Sequence, residues 1–165
     1  GGDTLRADGK ARLTPTPWQE PGELPDDDYP WMLTTGRQLF HYNVGTMTRR
    51  TDIVQLAQAS EETLRIHPGD ARRAGIRHGD MVDVVSRRGR VRVRVEVTRA
   101  TNKGTVFMTF HFPESRTNIL TGEAVDEFTG CPEYKVCAVR LEPVPLGGGA
   151  PRVEREAGVG PSPVA

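Results

Sequence analysis

The amino-acid sequence predicts a mainly-β domain, a closed or nearly closed barrel with a few short helices. Two patterns carry that class. Val91, Val93, Val95 and Val97 alternate with Arg92, Arg94 and Glu96, the period-2 signature of a strand with one buried and one solvent-facing side. The helical stretches are too few and too short to alternate with every strand, as a doubly wound parallel sheet requires.

Taken in chain order, a strand is expected at residues 31–34 and a short helix at 52–59, followed by a strand at 64–66. "HPGDARRAGI" predicts a second helix, with Pro68 suited to the first turn and Gly75 to the stop. "MVDVVS" pairs with 91–97 across the turn signal "SRRG" to make a hairpin. Two more strands are expected at 105–110 and 135–141. The ends differ in composition. "TPTPWQEPGELPDDDYP" is rich in Pro and Asp, and eight of the last twenty residues are Gly or Pro. Neither segment holds enough apolar surface to order itself alone. Residues 1–28 are therefore expected to be a linker, 29–144 the folded unit and 145–165 a flexible tail.

A chain of 165 residues with 36% hydrophobic and 27% charged content suits one globular domain. No run nears the ~20 apolar residues of a membrane helix, and the first residues show no signal-peptide region and no initiator Met. The expectation is a soluble, cytoplasmic protein that begins inside a longer polypeptide. The two cysteines, Cys131 and Cys137, have five residues between them, which is neither a disulfide framework nor the spacing of a zinc or iron–sulfur site. Both read as reduced thiols, and Cys137 shares the alternating face of Val139 and Leu141. The net charge is zero, but residues 29–144 carry seventeen basic and thirteen acidic side chains. Only Lys10, Lys103 and Lys135 of the 22 cations are lysines, and Arg presents a planar fork suited to phosphate.

The segment "TTGRQLFHYNVGTMTRR", residues 34–50, is the most donor-rich of the chain and follows a strand directly. Thr34, Thr35, Gly36 and Arg37 offer hydroxyls, an open backbone and a guanidinium where strand N–H groups are left free. His41, Tyr42 and Asn43 add donors and a flat face. From these residues alone, an anion cradle and a solvated loop with turn glycines both remain open. The arginines at 87, 88, 90, 92 and 94 raise a third reading, a nucleic-acid-binding barrel, but the hairpin lacks the aromatic platforms that single strands stack on.

"YPWMLTTGRQLFHYNVGTMTRR", "IHPGDARRAGIRHGDMVDVVSRRGRVRVRVEVT", "KGTVFMTFHF", "TNILT" and "PEYKVCAVRLEPV" follow one another in an order and spacing that resembles the carboxy-terminal domain of the molybdopterin oxidoreductases, the dimethyl sulfoxide reductase family. Within it they look like the catalytic (alpha) subunit of the formate dehydrogenases. The resemblance covers about residues 5–144, since "DGKARLTP" also looks like the lead out of the upstream catalytic domains. It implies a double-psi β-barrel that holds part of a bis-molybdopterin guanine dinucleotide, hereafter MGD, carrying molybdenum or tungsten. It also implies that Thr34, Thr35, Gly36, Arg37, His41, Tyr42 and Asn43 contact the cofactor, with Thr46 and Thr48 as further candidates.

Later in the chain the same resemblance implies cofactor contacts from Asn118 in "RTNILT" and from Tyr134 and Lys135 in "PEYKVCAVR", and a substrate funnel lined by Phe110 and His111. Where many of that family carry a second His and a Thr, this sequence has Asn43 and Val44; an Asn amide still donates and accepts, whereas Val44 cannot. By resemblance the metal ligand, the catalytic residues and any iron–sulfur cysteines lie in upstream domains, and electron-transfer subunits are the further partners. No catalytic or metal-binding residue is expected in this chain, nor nucleic acid, nor a membrane segment. A nitrate reductase or another molybdopterin oxidoreductase is the alternative setting. A self-cleaving decarboxylase on the same barrel needs a Gly-Ser bond, and the sequence has none.

Overall fold

The computed structural model describes residues 13, 15–53, 61–127, 129–145 and 153–155. Its strands are β1 (Trp31–Gly36), β2 (Thr63–Ile66), β3 (Met81–Val85), β4 (Gly89–Val97), β5 (Thr105–Thr109), β6 (Cys137–Pro143) and β7 (Val153–Arg155), and α1 (Pro68–Arg73) is a helix. Single 3-10 turns occupy Thr48–Arg50 and Thr117–Leu120. The expected helix at 52–59 lies mostly outside the described residues.

The strands run in the order β2-β5-β1-β6-β3-β4-β7, and a further β2–β4 pairing closes the first six into a barrel. β1 pairs in parallel with β5 and β2 with β4, while the remaining ladders are antiparallel. This is the double-psi β-barrel. Its interior is filled by the buried alternates of every strand: Leu33, Leu64, Val82, Val84, Val91, Val106 and Val139 are all at most 1% exposed. Each such side chain contributes roughly 1.5–3 kcal/mol by leaving water. The β3–β4 hairpin turns where expected, the Ser86 N–H donating to Gly89 O at 2.9 Å. α1 starts at His67, whose Nδ1 accepts the Gly69 N–H at 3.0 Å, and stops at Gly75, whose φ of +68° suits residues without a Cβ.

The outer face of β4 is partly solvent-exposed, as expected, and it is also ion-paired: Arg92 Nε meets Asp83 Oδ1 at 2.7 Å, and Arg90 bridges Asp83 and Glu142. Arg92, hydrogen bonded to it, holds the Asp83 carboxyl below the ordinary carboxylate range, and Arg90 adds to the shift. Arg94 pairs with Glu61 at 3.0 Å. Each of these arginines thus has an acidic partner within the chain.

Beyond β6, Val153–Arg155 adds to the β4 edge with Val91 opposite Val153. The segment before β1 also reaches the barrel. Glu23 is received by Arg87 and Arg88, each at 2.7 Å, and by the Ala138 N–H at 3.1 Å. Asp26 pairs with Arg87, whose guanidinium lies 4.4 Å above the Tyr29 ring. Among the described residues no helix is long and apolar enough to cross a membrane.

Candidate cofactor cradle

The strand directions decide where ligand-binding side chains can gather. With β1 parallel to β5 and antiparallel to β6, the ends at Gly36, Thr109 and Cys137 share one rim of the barrel. β3 and β4 bring Val85 and Gly89 to that rim as well. All loops that carry the expected site residues leave from this rim: 37–62, and the β5–β6 connection 110–136.

At the rim three expected residues meet. The Thr35 hydroxyl donates to Tyr134 O at 2.6 Å, and Lys135 Nζ donates to Thr35 O at 2.8 Å. The ammonium lies 5.1 Å from the Tyr134 ring centre and 6.0 Å from that of Phe110, which itself meets Tyr134 edge-on. One hydrogen bond uses one of the three N–H donors of Lys135, so the cation keeps capacity for a further acceptor.

The segment after β1 folds around His111. That side chain is fully buried; its Nε2 accepts the Gln38 N–H at 2.7 Å and its Nδ1–H donates to Asn43 O. Asn43 has φ +49°, a left-handed conformation that Asn tolerates better than most side chains. His41 lies 5.4 Å from His111 ring to ring and touches Thr48 Oγ1 through Nδ1 at 3.1 Å. Burial pushes the His41 imidazole below its ordinary histidine value, with the neighbouring His111 and Arg49 pushing the same way. Arg37 and Tyr42 are exposed, the guanidinium stacked on the ring at 5.8 Å.

Not every expected residue joins this arrangement. Thr34 points to the opposite face from Thr35, as strand alternation demands, and lines a separate recess with Arg65 and Phe107. A Cβ at Gly36 would come within 2.7 Å of the Phe107 ring, so its missing side chain makes room for that ring and not for a ligand. Thr46 is exposed. His111 is too buried, and too fully bonded, to line a funnel; Phe110 is half-buried at the rim. The Asn118 side chain is exposed on the 3-10 turn packed over β4 and β6, where Leu120 O accepts from Arg88 at 2.9 Å and from Cys137 Sγ at 3.0 Å. Burial pushes the Cys137 thiol up to about 11, and Cys131 is exposed.

Two residues outside the expected set belong to the same rim. Gln38 Oε1 and Thr117 Oγ1 are buried without a hydrogen-bond partner among the described residues, and so is His41 Nε2. Buried polar atoms are nearly always paired, and each orphan costs roughly 1–3 kcal/mol. Orphans on both loops that also carry Arg37 and Lys135 fit a ligand that is anionic in one part and rich in ring nitrogens and oxygens in another. A dinucleotide-linked pterin has that chemistry. A cavity of about 470 Å³ lined by Glu23, Arg87, Arg88 and Glu133 is a poorer candidate, since its cations are already paired within the chain.

The architecture and this rim suit a cofactor-holding barrel. Residues 31–138 match the molydopterin dinucleotide binding domain, and the chain belongs to that family. It is 46% identical over 138 residues to the F420-dependent formate dehydrogenase subunit alpha of Methanocaldococcus jannaschii, covering 84% of this chain and 20% of that protein. It is 44% identical over 140 residues to the F420-dependent formate dehydrogenase 2 subunit alpha of Methanococcus maripaludis, covering 85% and 21%. A protein named nitrate reductase from Symbiobacterium thermophilum is 44% identical over 141 residues, covering 83% and 19%. The chain thus spans about a fifth of the length of these relatives. Among solved structures, acetylene hydratase from Pelobacter acetylenicus superposes with a TM-score of 0.64 at 17% identity, over 76% of this chain and 20% of that one, a likeness of fold.

Proposed function

We propose that this chain is the MGD-binding domain of a molybdenum- or tungsten-dependent formate dehydrogenase, with the metal ligand, the catalytic residues and the iron–sulfur clusters in other domains or subunits. The observation that carries the reading is the rim itself: Thr35, Tyr134 and Lys135 are hydrogen bonded together, and the loops leaving the same rim hold three buried orphan polar atoms. The formate dehydrogenase alpha subunits among the relatives supply the reaction class. When bound, the cofactor's metal accepts two electrons as formate becomes carbon dioxide.

The chain's own residues bind and orient. Lys135 and Arg37 neutralise phosphate charge, Lys135 as a point charge and Arg37 as a planar fork. His41 Nε2, Gln38 Oε1 and Thr117 Oγ1 take up donors and acceptors of the ring system. Tyr42 offers a flat face. Thr34 and Gly36 serve through the backbone of β1, because their outward faces look away from the rim. The 44% identity to the nitrate reductase keeps that substrate as the second reading.

The full-length enzyme decides between them. Purified protein should carry MGD and reduce a dye with formate; nitrate-dependent dye oxidation without formate activity selects the second reading. Protein that folds but carries no guanine nucleotide and no pterin defeats both.

A further inference from the structure

We infer that His111 is the positioning residue of the cofactor loop, a neutral imidazole that fastens both ends of the segment 38–43 to the end of β5. The inference rests on the cofactor reading above and adds a role for a side chain that touches no ligand.

The two hydrogen bonds admit a single protonation form. Gln38 N–H points at Nε2 from 2.7 Å, so Nε2 must hold a lone pair; Nδ1 then carries the hydrogen and gives it to Asn43 O. The other tautomer, or the imidazolium, would set N–H against N–H at Gln38. The span so pinned contains Gln38 and His41, both with an orphan polar atom, and it follows Arg37 directly. Its far end is the left-handed Asn43.

The pin is itself braced. Thr109, two residues before His111, donates its N–H and its hydroxyl to the buried Glu62 at 2.8 and 2.6 Å. The charged and titratable groups around the imidazole are His41 on the loop, Arg49 with its partner Glu114 at 2.7 Å, Glu62 through Thr109, and Lys135 against the neighbouring Phe110 ring. None of them takes the place of either bond. A loop without His111 would leave the Gln38 N–H and the Asn43 carbonyl unpaired, and the two orphan-bearing side chains would no longer be held in one place.

The test uses the full-length enzyme and reads release of MGD, not turnover. His111→Gln offers an amide oxygen and an amide N–H in place of the two ring nitrogens and does not titrate; His111→Leu offers neither. Release from His111→Leu should be about ten- to a hundredfold faster than from wild type, and from His111→Gln within about threefold. Release from His111→Leu at the wild-type rate overturns the inference. Should His111→Leu fail to fold, His111→Gln decides: release more than about tenfold faster than wild type overturns the inference. Hydrogen exchange at the Gln38 amide reads the pin directly: protection in wild type and His111→Gln is expected, and an unprotected wild-type amide overturns the inference even if MGD is bound. Wild-type protein that lacks MGD while Gln38 is protected overturns instead the cofactor reading beneath it.

Discussion

Replacing Lys135 with alanine removes a cation held at 2.8 Å on the Thr35 carbonyl and packed against the Tyr134 and Phe110 rings. Within the protein alone the loss is small. The side chain is solvent-exposed, so its hydrogen bond and ring contacts together contribute about 1 kcal/mol of folding stability after screening. Toward an anionic cofactor the loss is larger, since a charge-assisted hydrogen bond shielded by the ligand contributes roughly 1.5–3 kcal/mol. That corresponds to about ten- to a hundredfold weaker retention. The suitable control is Lys103→Ala, another exposed lysine, which precedes β5 at the opposite rim beside Gly69 of α1. The assay is guanine nucleotide and pterin per folded polypeptide after extended dialysis of the full-length enzyme. Equal retention in Lys135→Ala and wild type, or a loss confined to Lys103→Ala, would refute the placement of phosphate charge at this rim.

Arg92→Ala should leave cofactor content unchanged while destabilising the cofactor-free chain by about 1–3 kcal/mol, because it strips the main partner from the nearly buried Asp83; urea titration giving no shift would show that the pair contributes nothing. Glu62→Gln should alter how stability depends on pH. Burial raises the Glu62 pKa against the hydrogen bonds from Thr109, so the folded chain holds this proton more tightly than the unfolded one. The stabilisation that proton gives is present below the ordinary carboxylate value and lost as pH rises through the raised folded value. Thermal melts from about pH 4 upward should therefore fall for wild type relative to Glu62→Gln, and parallel curves would contradict the assignment. In the cofactor-free chain a thiol reagent should titrate Cys131 and spare Cys137, which is 1% exposed with its thiol pushed up to about 11; two equivalents reacting without denaturant would count against the buried placement.

The barrel was legible where one strand's own sequence carries its burial pattern. Val91 to Val97 and the bounded helix after His67 need no knowledge of their neighbours. β7 escaped notice because three residues between Gly- and Pro-rich stretches have no period of their own; the open edge of β4 supplies the partner. The arginines of β4 looked solvent-bound for a related reason, as their acceptors sit on β3 and β6 at Asp83 and Glu142. In the cradle, Thr35, Tyr134 and Lys135 could be named from the family likeness, yet their mutual contact depends on a ladder between distant segments. Thr34 was separable in principle, because Trp31, Leu33 and Thr35 share one parity. The buried orphans at Gln38 and Thr117 left no mark in composition, since a polar residue in a polar run reveals its burial only when the chain closes over it.

Thr35 and Lys135 lie 100 residues apart and are neighbours only because β6 docks beside β1. The same is true of the parallel partners β1 and β5, so the barrel has no early, local half that could form and wait. A ribosome emitting the chain amino terminus first must release nearly all of it before the cradle exists. Until then the strand edges are unpaired and the apolar interior is open, the condition in which slow, non-local β-topologies aggregate. Cofactor loading is thereby postponed to the last stage of folding, and a polypeptide stopped short of residue 137 would lack the strand that sets Lys135 against Thr35.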